Sequence, residues 1–302
     1  VSNVTHGNDD RPTDPPPPPS RDLGSTAALP AGLSRAPRID ESTTEELSVL
    51  LQTGQAIALV PVGSTEPHGP HLPLGTDAFL SEQACMVAAM RLLREGRPAV
   101  VAPTIAFGVT KYAAGFAGAI GIRGQTLIAL LCDLGRALLD EGFGHVCFVN
   151  NHLEPAHVQA VRSAVDVVAA ERGPSAVSFP NQLTKRWGRT LTDEFKSGAC
   201  HAGRYETSLV EAARPELVRP THRTLPAVPI SLSEAIKSRG DGAVTFAEIG
   251  MTRAYCGAPA EASREEGVAI YDRLAEMIVT EINEHIADAE ETTDRGPRPQ
   301  NL

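Results

Sequence analysis

The sequence predicts an α/β fold built on a mainly parallel sheet with helices covering both faces. Two observations lead there. Short continuous apolar runs alternate along the chain with amphipathic stripes of helical period, the pattern of strands buried on both sides. Clusters of acids, histidines and glycines follow two of those runs, at strand ends where such folds place their chemistry.

The elements follow in order. Residues 56–62 (Ala-Ile-Ala-Leu-Val-Pro-Val) form the first strand, and 78–94 a helix with Leu80, Ala84, Val87 and Arg91 on successive turns. Residues 98–102 give a second strand. Thr126 is placed to cap the next helix, whose Leu127, Leu130, Leu131, Leu134 and Leu138 repeat at helical spacing and which ends at Gly142. A strand at 145–149, a helix at 156–171 (Val158, Val161, Val165, Val168) and a strand at 175–179 come next. A last helix, about 261–286, carries Val268, Tyr271, Leu274, Ile278 and Ile282 on one face.

Residues 1–35 read as a disordered tail, since the run Asp14-Pro-Pro-Pro-Pro-Pro-Ser20 favours extended polyproline geometry. Residues 36–287 are expected to form one domain, and 288–302 a flexible polar end.

Composition narrows the function. The 302 residues carry a formal charge of -10, which argues against nonspecific nucleic-acid binding. No apolar run approaches a membrane span. Five widely spaced cysteines without a C-x-x-C pair read as free thiols in a reducing compartment, so the expected location is the cytoplasm.

Three polar clusters carry the chemistry. The first, Glu66-Pro-His-Gly-Pro-His-Leu-Pro-Leu-Gly-Thr-Asp77, offers two carboxylates and the imidazoles of His68 and His71. Such a mixed set suits Zn²⁺, Mn²⁺ or Fe²⁺ better than Ca²⁺ or Mg²⁺. The second is Asn150-Asn-His-Leu-Glu-Pro155, where His152 and Glu154 share a strand-to-helix turn. Pro155 fits a first helical turn, and Asn151 tolerates the left-handed backbone that a sharp turn needs. Taken alone, His152 reads equally as a turn histidine or a ligand. The third is Cys200-His-Ala-Gly-Arg-Tyr-Glu-Thr-Ser208; Glu206 there reads equally as a functional acid or as a first-turn carboxylate favoured by the helix dipole. Together the clusters hold enough donors for two metal ions sharing a carboxylate, and Gly63, Gly69 and Gly203 are expected to let backbone come close to them.

At these residues the chain resembles the creatininase family. The family pattern Val-Gly-x-x-Glu-x-His-Gly-x-His-x-Pro-x-x-x-Asp reads here as Val62 to Asp77, Asn-Gly-His-x-Glu-Asn as Asn150 to Pro155, and His-x-Gly-x-x-Glu-Thr-Ser as His201 to Ser208. The resemblance spans roughly residues 40–285. It implies a three-layer α/β/α sandwich with two divalent ions, Zn²⁺ and/or Mn²⁺ with Fe²⁺ also allowed. One ion would be held by Glu66, Asp77 and His152, the other by His68, Asp77 and Glu154, with Asp77 bridging. His201 would carry the proton, Glu154 and Glu206 would join it as catalytic groups, and Glu206 would ligate a metal or brace the site from behind. Leu153 and Cys200 would face the substrate, His71 would face it or stand behind the ligands, and Arg204 would pair with an anionic group if it points inward or else form an exposed salt bridge.

Departures matter equally. Leu153 stands where creatininase has a ligand-contacting Tyr, and Cys200 replaces the acid before its catalytic His. The lid Trp is missing from Asp193–Ala199, the single Trp being Trp187, and Gly115-Phe-Ala-Gly-Ala119 replaces a His-Phe-Pro-Gly-Thr segment. The resulting expectation is an amidohydrolase that cleaves a C–N bond in a small molecule other than creatinine by metal-activated water, assembled as a homo-oligomer, a hexamer by resemblance. The alternatives are a metallopeptidase or deformylase of the same family, or a non-catalytic protein whose metals brace an assembly.

Overall fold

The computed structural model describes residues 35–239 and 245–294. The expected N-terminal tail up to residue 34, and the C-terminal end from residue 295, lie outside the described residues.

Strands β1 (Ile57–Val62), β2 (Ala99–Val101), β3 (His145–Asn150) and β4 (Val177–Ser178) form one sheet in the order β2-β1-β3-β4, every pair parallel. The helices are α1 (Thr44–Leu51), α2 (Thr76–Arg94), α3 (Gly124–Glu141), α4 (Pro155–Arg172), α5 (Lys185–Gly188), α6 (Asp193–Ser197), α7 (Arg204–Ala213), α8 (Leu232–Arg239) and α9 (Arg264–Asp294).

Alternation along the strands builds two cores. Ile57, Leu59, Cys147 and Val149 pack with Leu80, Leu92, Leu274 and Ile278 under α2 and α9. Their neighbours Ala58, Val60, Val62, Val146 and Phe148 pack with Leu127, Leu131, Val161 and Val168 under α3 and α4. Successive side chains leave a strand on opposite faces, so an unbroken apolar run such as Ile57–Val62, buried throughout, needs a helical layer on each side. The result is the α/β/α sandwich. Burial of each large aliphatic side chain contributes about 1.5–3 kcal/mol, and these two layers are where that stabilisation concentrates.

Local chemistry explains two element ends that bound the site region. Gly142 closes α3 in the left-handed conformation (φ 116°), and Pro155 begins α4, where its missing N–H costs no hydrogen bond. Three expectations are corrected. Thr126 does not cap α3, which starts two residues earlier behind Arg123 without a side-chain cap. Asn151 is not left-handed; among the described residues only Ala202 and Ala254 are non-glycine residues with positive φ. The Asn150 side chain makes that turn instead, accepting from His152 N–H (3.1 Å) and donating to the His152 carbonyl (2.7 Å). Finally, α9 continues to Asp294, so residues 288–294, expected to be part of a flexible end, are helical.

The strand order positions the site. The chain leaves β1 for α2 on one face and β3 for α4 on the other, and β1 and β3 are adjacent. Two neighbouring parallel strands whose following helices lie on opposite faces leave a crevice beyond their C-terminal ends. Gly63, the first residue after β1, keeps this crevice tight, since a Cβ there would lie 2.5 Å from Ala78 N and 2.7 Å from Asp77 C. Gly63→Ala should push the start of α2 away and cost about 1–3 kcal/mol, with weaker metal binding because Asp77 moves. Denaturant melts and a metal titration would check both effects.

Candidate metal centre

Loops from three parts of the chain converge in the crevice. The segment after β1 brings Glu66, His68 and Asp77, the β3–α4 turn brings His152 and Glu154, and the turn before α7 brings His201 and Glu206. All seven are buried.

Asp77 lies at the centre. Its Oδ1 is 3.1 Å from His68 Nε2 and its Oδ2 is 2.9 Å from His152 Nδ1, so one oxygen faces each imidazole. Glu206 Oε2 is 3.5 Å from His68 Nε2, and Glu66 Oε1 is 3.4 Å from His152 Nδ1. Three donor groups each have their atoms within 4.8 Å of one another: His68, Asp77 and Glu206; Glu66, His152 and Glu154; Glu66, His68 and His201. The expected partition therefore changes. Glu154 gathers with Glu66 and His152 rather than with His68, and Glu206 takes its place beside His68 and Asp77. The cause is tertiary: Glu154 follows β3 into the first turn of α4, whereas Glu206 enters the crevice with α7.

Backbone carbonyls orient the imidazoles. His68 Nδ1 lies 3.0 Å from the Glu66 carbonyl and His152 Nε2 lies 2.8 Å from the Val109 carbonyl. Each ring donates there and leaves its other nitrogen directed at the carboxylates, the arrangement that fixes metal-ligating histidines. His201 donates through Nε2 to the Pro67 carbonyl at 3.0 Å, which leaves Nδ1 3.9 Å from Glu66 Oε1. Its ring stacks between those of His68 and Phe246, with centroids 4.5 Å away in each case.

The donor set fits cations. Glu154 Oε1 is buried with no hydrogen-bond partner, while Oε2 accepts from the N–H groups of Lys111 (2.7 Å) and Tyr112 (3.1 Å). Among the described residues Glu66, Asp77 and Glu206 pair only with imidazoles, and no Lys or Arg side chain forms an ion pair with them or with Glu154. Buried carboxylates without a countercharge are costly, and two divalent cations among nitrogen and oxygen donors answer that need.

The protons on the imidazoles reflect the same field. Burial opposes charge on His68 and on His152, but the surrounding carboxylates outweigh it and push each up to about 10. Burial, only partly opposed by His68, pushes Glu206 up to about 8. Asp77 is held well below the usual carboxylate range; the two imidazoles overcome the opposing effect of burial. His201 is held neutral by burial and by the neighbouring His68 charge.

These shifts set a sign for stability. A histidine raised from 6.5 to about 10 stabilises the fold fully below 6.5, and that contribution disappears as pH rises through about 10. Glu206, raised from 4.5 to about 8, costs stability over an overlapping part of that rise. The Tm of chelator-treated protein should therefore fall from pH 6.5 to 10, and Zn²⁺ should restore it by replacing the lost protons. A melting profile that is flat or rising over that range would contradict this account.

A cavity of about 850 Å³ opens from the cluster. Glu66, Asp77, His152, Glu154, His201 and Glu206 form its floor, and Leu153 and Cys200 also line it. Two of the expected substrate contacts take their alternative places instead. His71 is absent from the cavity wall and packs behind the cluster, its Nε2 2.9 Å from Thr207 Oγ1. Arg204 turns to Glu261 (3.3 Å) and Glu266 (3.2 Å), drawn by acids before and within α9.

The glycine expectation also changes, because each makes room for protein rather than for an ion. A Cβ at Gly63 would meet α2, at Gly69 the His71 ring, and at Gly203 the Glu194 carboxylate. Trp187 does not line the cavity; its Nε1 donates to Glu281 at 2.6 Å.

Several contributors carried no signal in the sequence. The segment 108–112 braces the site through the Thr110 hydroxyl on Glu66 Oε2 and the two N–H groups on Glu154. His157 packs its ring 4.6 Å from that of His152 and accepts from Val109 N–H at 3.1 Å. Glu194 accepts from the N–H groups of Tyr205 (2.6 Å) and Ala258 (2.7 Å), tying the His201–Glu206 turn to the segment before α9. The only clue was the glycine content: Gly108, Gly203 and Gly257 all sit where a Cβ would collide with His157 or Glu194.

The fold and this donor set define a metal-dependent hydrolase acting on C–N bonds. The creatininase family model, described as creatinine amidohydrolase, matches residues 40–282, and the chain belongs to that family. It is 32% identical over 253 residues to the mycofactocin precursor peptide peptidase of Mycobacterium ulcerans (strain Agy99), covering 82% of this chain and 92% of that protein. It is also 32% identical over 256 residues to the peptidase of the same name from Mycolicibacterium smegmatis (strain ATCC 700084 / mc(2)155), covering 83% and 89%. A solved manganese creatininase superposes with a TM-score of 0.66 at 22% identity, covering 83% of this chain and 99% of that one.

These relatives overturn the expected small-molecule amide substrate, because proteins similar along nearly their whole length carry the name of peptide-cleaving enzymes. The family alternative, a metallopeptidase, fits better. The expected hexamer has nothing behind it in a single chain. No described helix is long and apolar enough to cross a membrane.

Proposed function

We propose that this chain is a dinuclear metallopeptidase that hydrolyses a peptide bond in a peptide lying in the cavity above Asp77. The observation that carries this reading is its similarity, over more than four-fifths of its length, to precursor-peptide peptidases. The cavity supports it: about 850 Å³ is near the upper end of the range for small-molecule pockets, and no lid Trp narrows it.

Glu66, His152 and Glu154 would hold one ion and His68 and Glu206 the other, with Asp77 shared between the two sets. Zn²⁺ and Mn²⁺ suit the donors, and the similar solved creatininase is a manganese form. When bound, such a pair of ions supplies a water acidified toward neutral pH and polarises a carbonyl oxygen.

The chain's own groups do the rest. His201, neutral at rest, offers Nδ1 on the cavity floor as the proton acceptor. It takes a proton from the attacking water and passes it to the peptide nitrogen. The carbonyl carbon gains a hydroxyl, the C–N bond breaks, and the nitrogen leaves as an amine. Its neutral resting state makes His201 a base before it is an acid. Leu153, Phe195 and Phe246 supply an apolar wall against the substrate. The free state of all five cysteines accords with the cytoplasm as the location.

The test is to load the full chain with Zn²⁺ or Mn²⁺, incubate it with mixed-sequence peptide pools, and read new termini by mass spectrometry. Chelator-sensitive cleavage is expected. Turnover of small cyclic amides with every peptide left intact would refute the proposal.

A further inference from the structure

The cavity is charged unevenly. Its floor holds the metal-site acids, while its outer wall, from α5, α6, α8 and the residue after α5, carries Lys185, Arg189, Lys196 and Lys237. No acid lines that outer wall among the described residues. This collection of cations stands out in a chain of net charge -10. Lys196 is engaged by Asp193 at 2.9 Å. Lys185, Arg189 and Lys237 are exposed and form no ion pair among the described residues. The apolar residues Leu183, Leu232 and Ile236 line the same cavity.

Cations of one sign on the wall of a concave, partly apolar site focus their field into it. A peptide lying in this cavity shares it with these side chains, and carboxylates are the peptide groups that complement them. Each exposed pair contributes little alone. Acting together at the mouth they govern encounter and choice of partner, and the effect weakens with salt.

We propose that Lys185, Arg189 and Lys237 select an acidic peptide, pairing with carboxylates that flank the bond brought to the Asp77 cluster. The proposal rests on the peptidase reading for the site but adds what that site prefers. The carboxylates come from Asp or Glu side chains or from the peptide's own C-terminus.

The experiment uses the metal-loaded full chain and two peptide pools with the same randomised apolar centre, one flanked by Glu and Asp, the other by Gln and Asn. Cleavage of the acidic pool should exceed that of the neutral pool by roughly tenfold at low salt, and the excess should shrink as NaCl rises. In the triple variant Lys185→Ser, Arg189→Ser, Lys237→Ser the ratio should collapse toward one. A second set of peptides with amidated C-termini separates the two sources. An excess of acidic-pool over neutral-pool cleavage assigns the recognition to side chains, and slower cleavage of both pools on amidation, absent in the triple variant, assigns it to the terminus.

Equal cleavage of the two pools by the unaltered chain with no loss on amidation, or a preference undiminished in the triple variant, overturns the proposal. Binding is measured in parallel by fluorescence anisotropy with labelled pools. If neither pool is cleaved yet acidic peptides bind preferentially and the triple variant loses that preference, the selectivity stands and the peptidase reading falls.

Discussion

Asp77→Ala should strip the protein of metal and of peptide hydrolysis together. Asp77 directs one oxygen at His68 Nε2 and the other at His152 Nδ1, so it belongs to both halves of the donor set. Loss of an outer partner of a metal ligand typically costs 10–100-fold in affinity or activity, and loss of the shared carboxylate should exceed that. Two further effects separate this from simple unfolding. The more conservative Asp77→Asn keeps the side-chain shape but removes the charge, and it should also fail to retain two ions while keeping the native circular dichroism. Both variants should also bring His68 and His152 down toward ordinary histidine behaviour, because Asp77 is the leading carboxylate raising His68 and a major one raising His152. Metal content by elemental analysis and cleavage of the peptide pools are the readouts. Full activity in metal-stripped Asp77→Ala protein would sink the dinuclear site outright.

His201→Ala should give the opposite pattern, with metal retained and turnover slowed by about 10²–10⁴. His201 is anchored by the Pro67 carbonyl and stacked between His68 and Phe246, and its nearest carboxylate contact, to Glu66, is 3.9 Å. The other donors pair more closely without it. Removing the ring leaves those pairs in place and takes away the proton acceptor on the cavity floor. The loss should fall on kcat, since His201 is assigned to the chemical step rather than to holding the peptide. Normal turnover in this variant would remove His201 from proton transfer, and loss of one metal ion would make it a ligand, a role that its place beside Glu66 and His68 allows.

Glu154 and Glu206 illustrate where reading the residues in order stops. Both were recognisable as chemistry-bearing acids, each two or five residues beyond a histidine at the edge of a helix. Which histidine each acid joins depends on how α4 and α7 enter the crevice, and spacing along the chain does not encode that. His71 and Arg204 sat within the same clusters yet turned away, one to Thr207 and the other to acids beside and in α9. Segment 108–112 had no acid or histidine to mark it, because it contributes a hydroxyl and backbone N–H groups.

By itself the sequence determined the alternation of buried strands and amphipathic helices, the end of α3 at Gly142, the start of α4 at Pro155, and the three clusters that hold the donors. These are local matters of periodicity, backbone conformation and side-chain chemistry, all expressed within a few residues. Only the tertiary structure decided how the donors group around Asp77, the neutrality of His201, and the cationic outer wall of the cavity. Those depend on distances between segments as much as 138 residues apart, such as His68 and Glu206, and on burial that arises once the sheet and its two helical layers have closed over them.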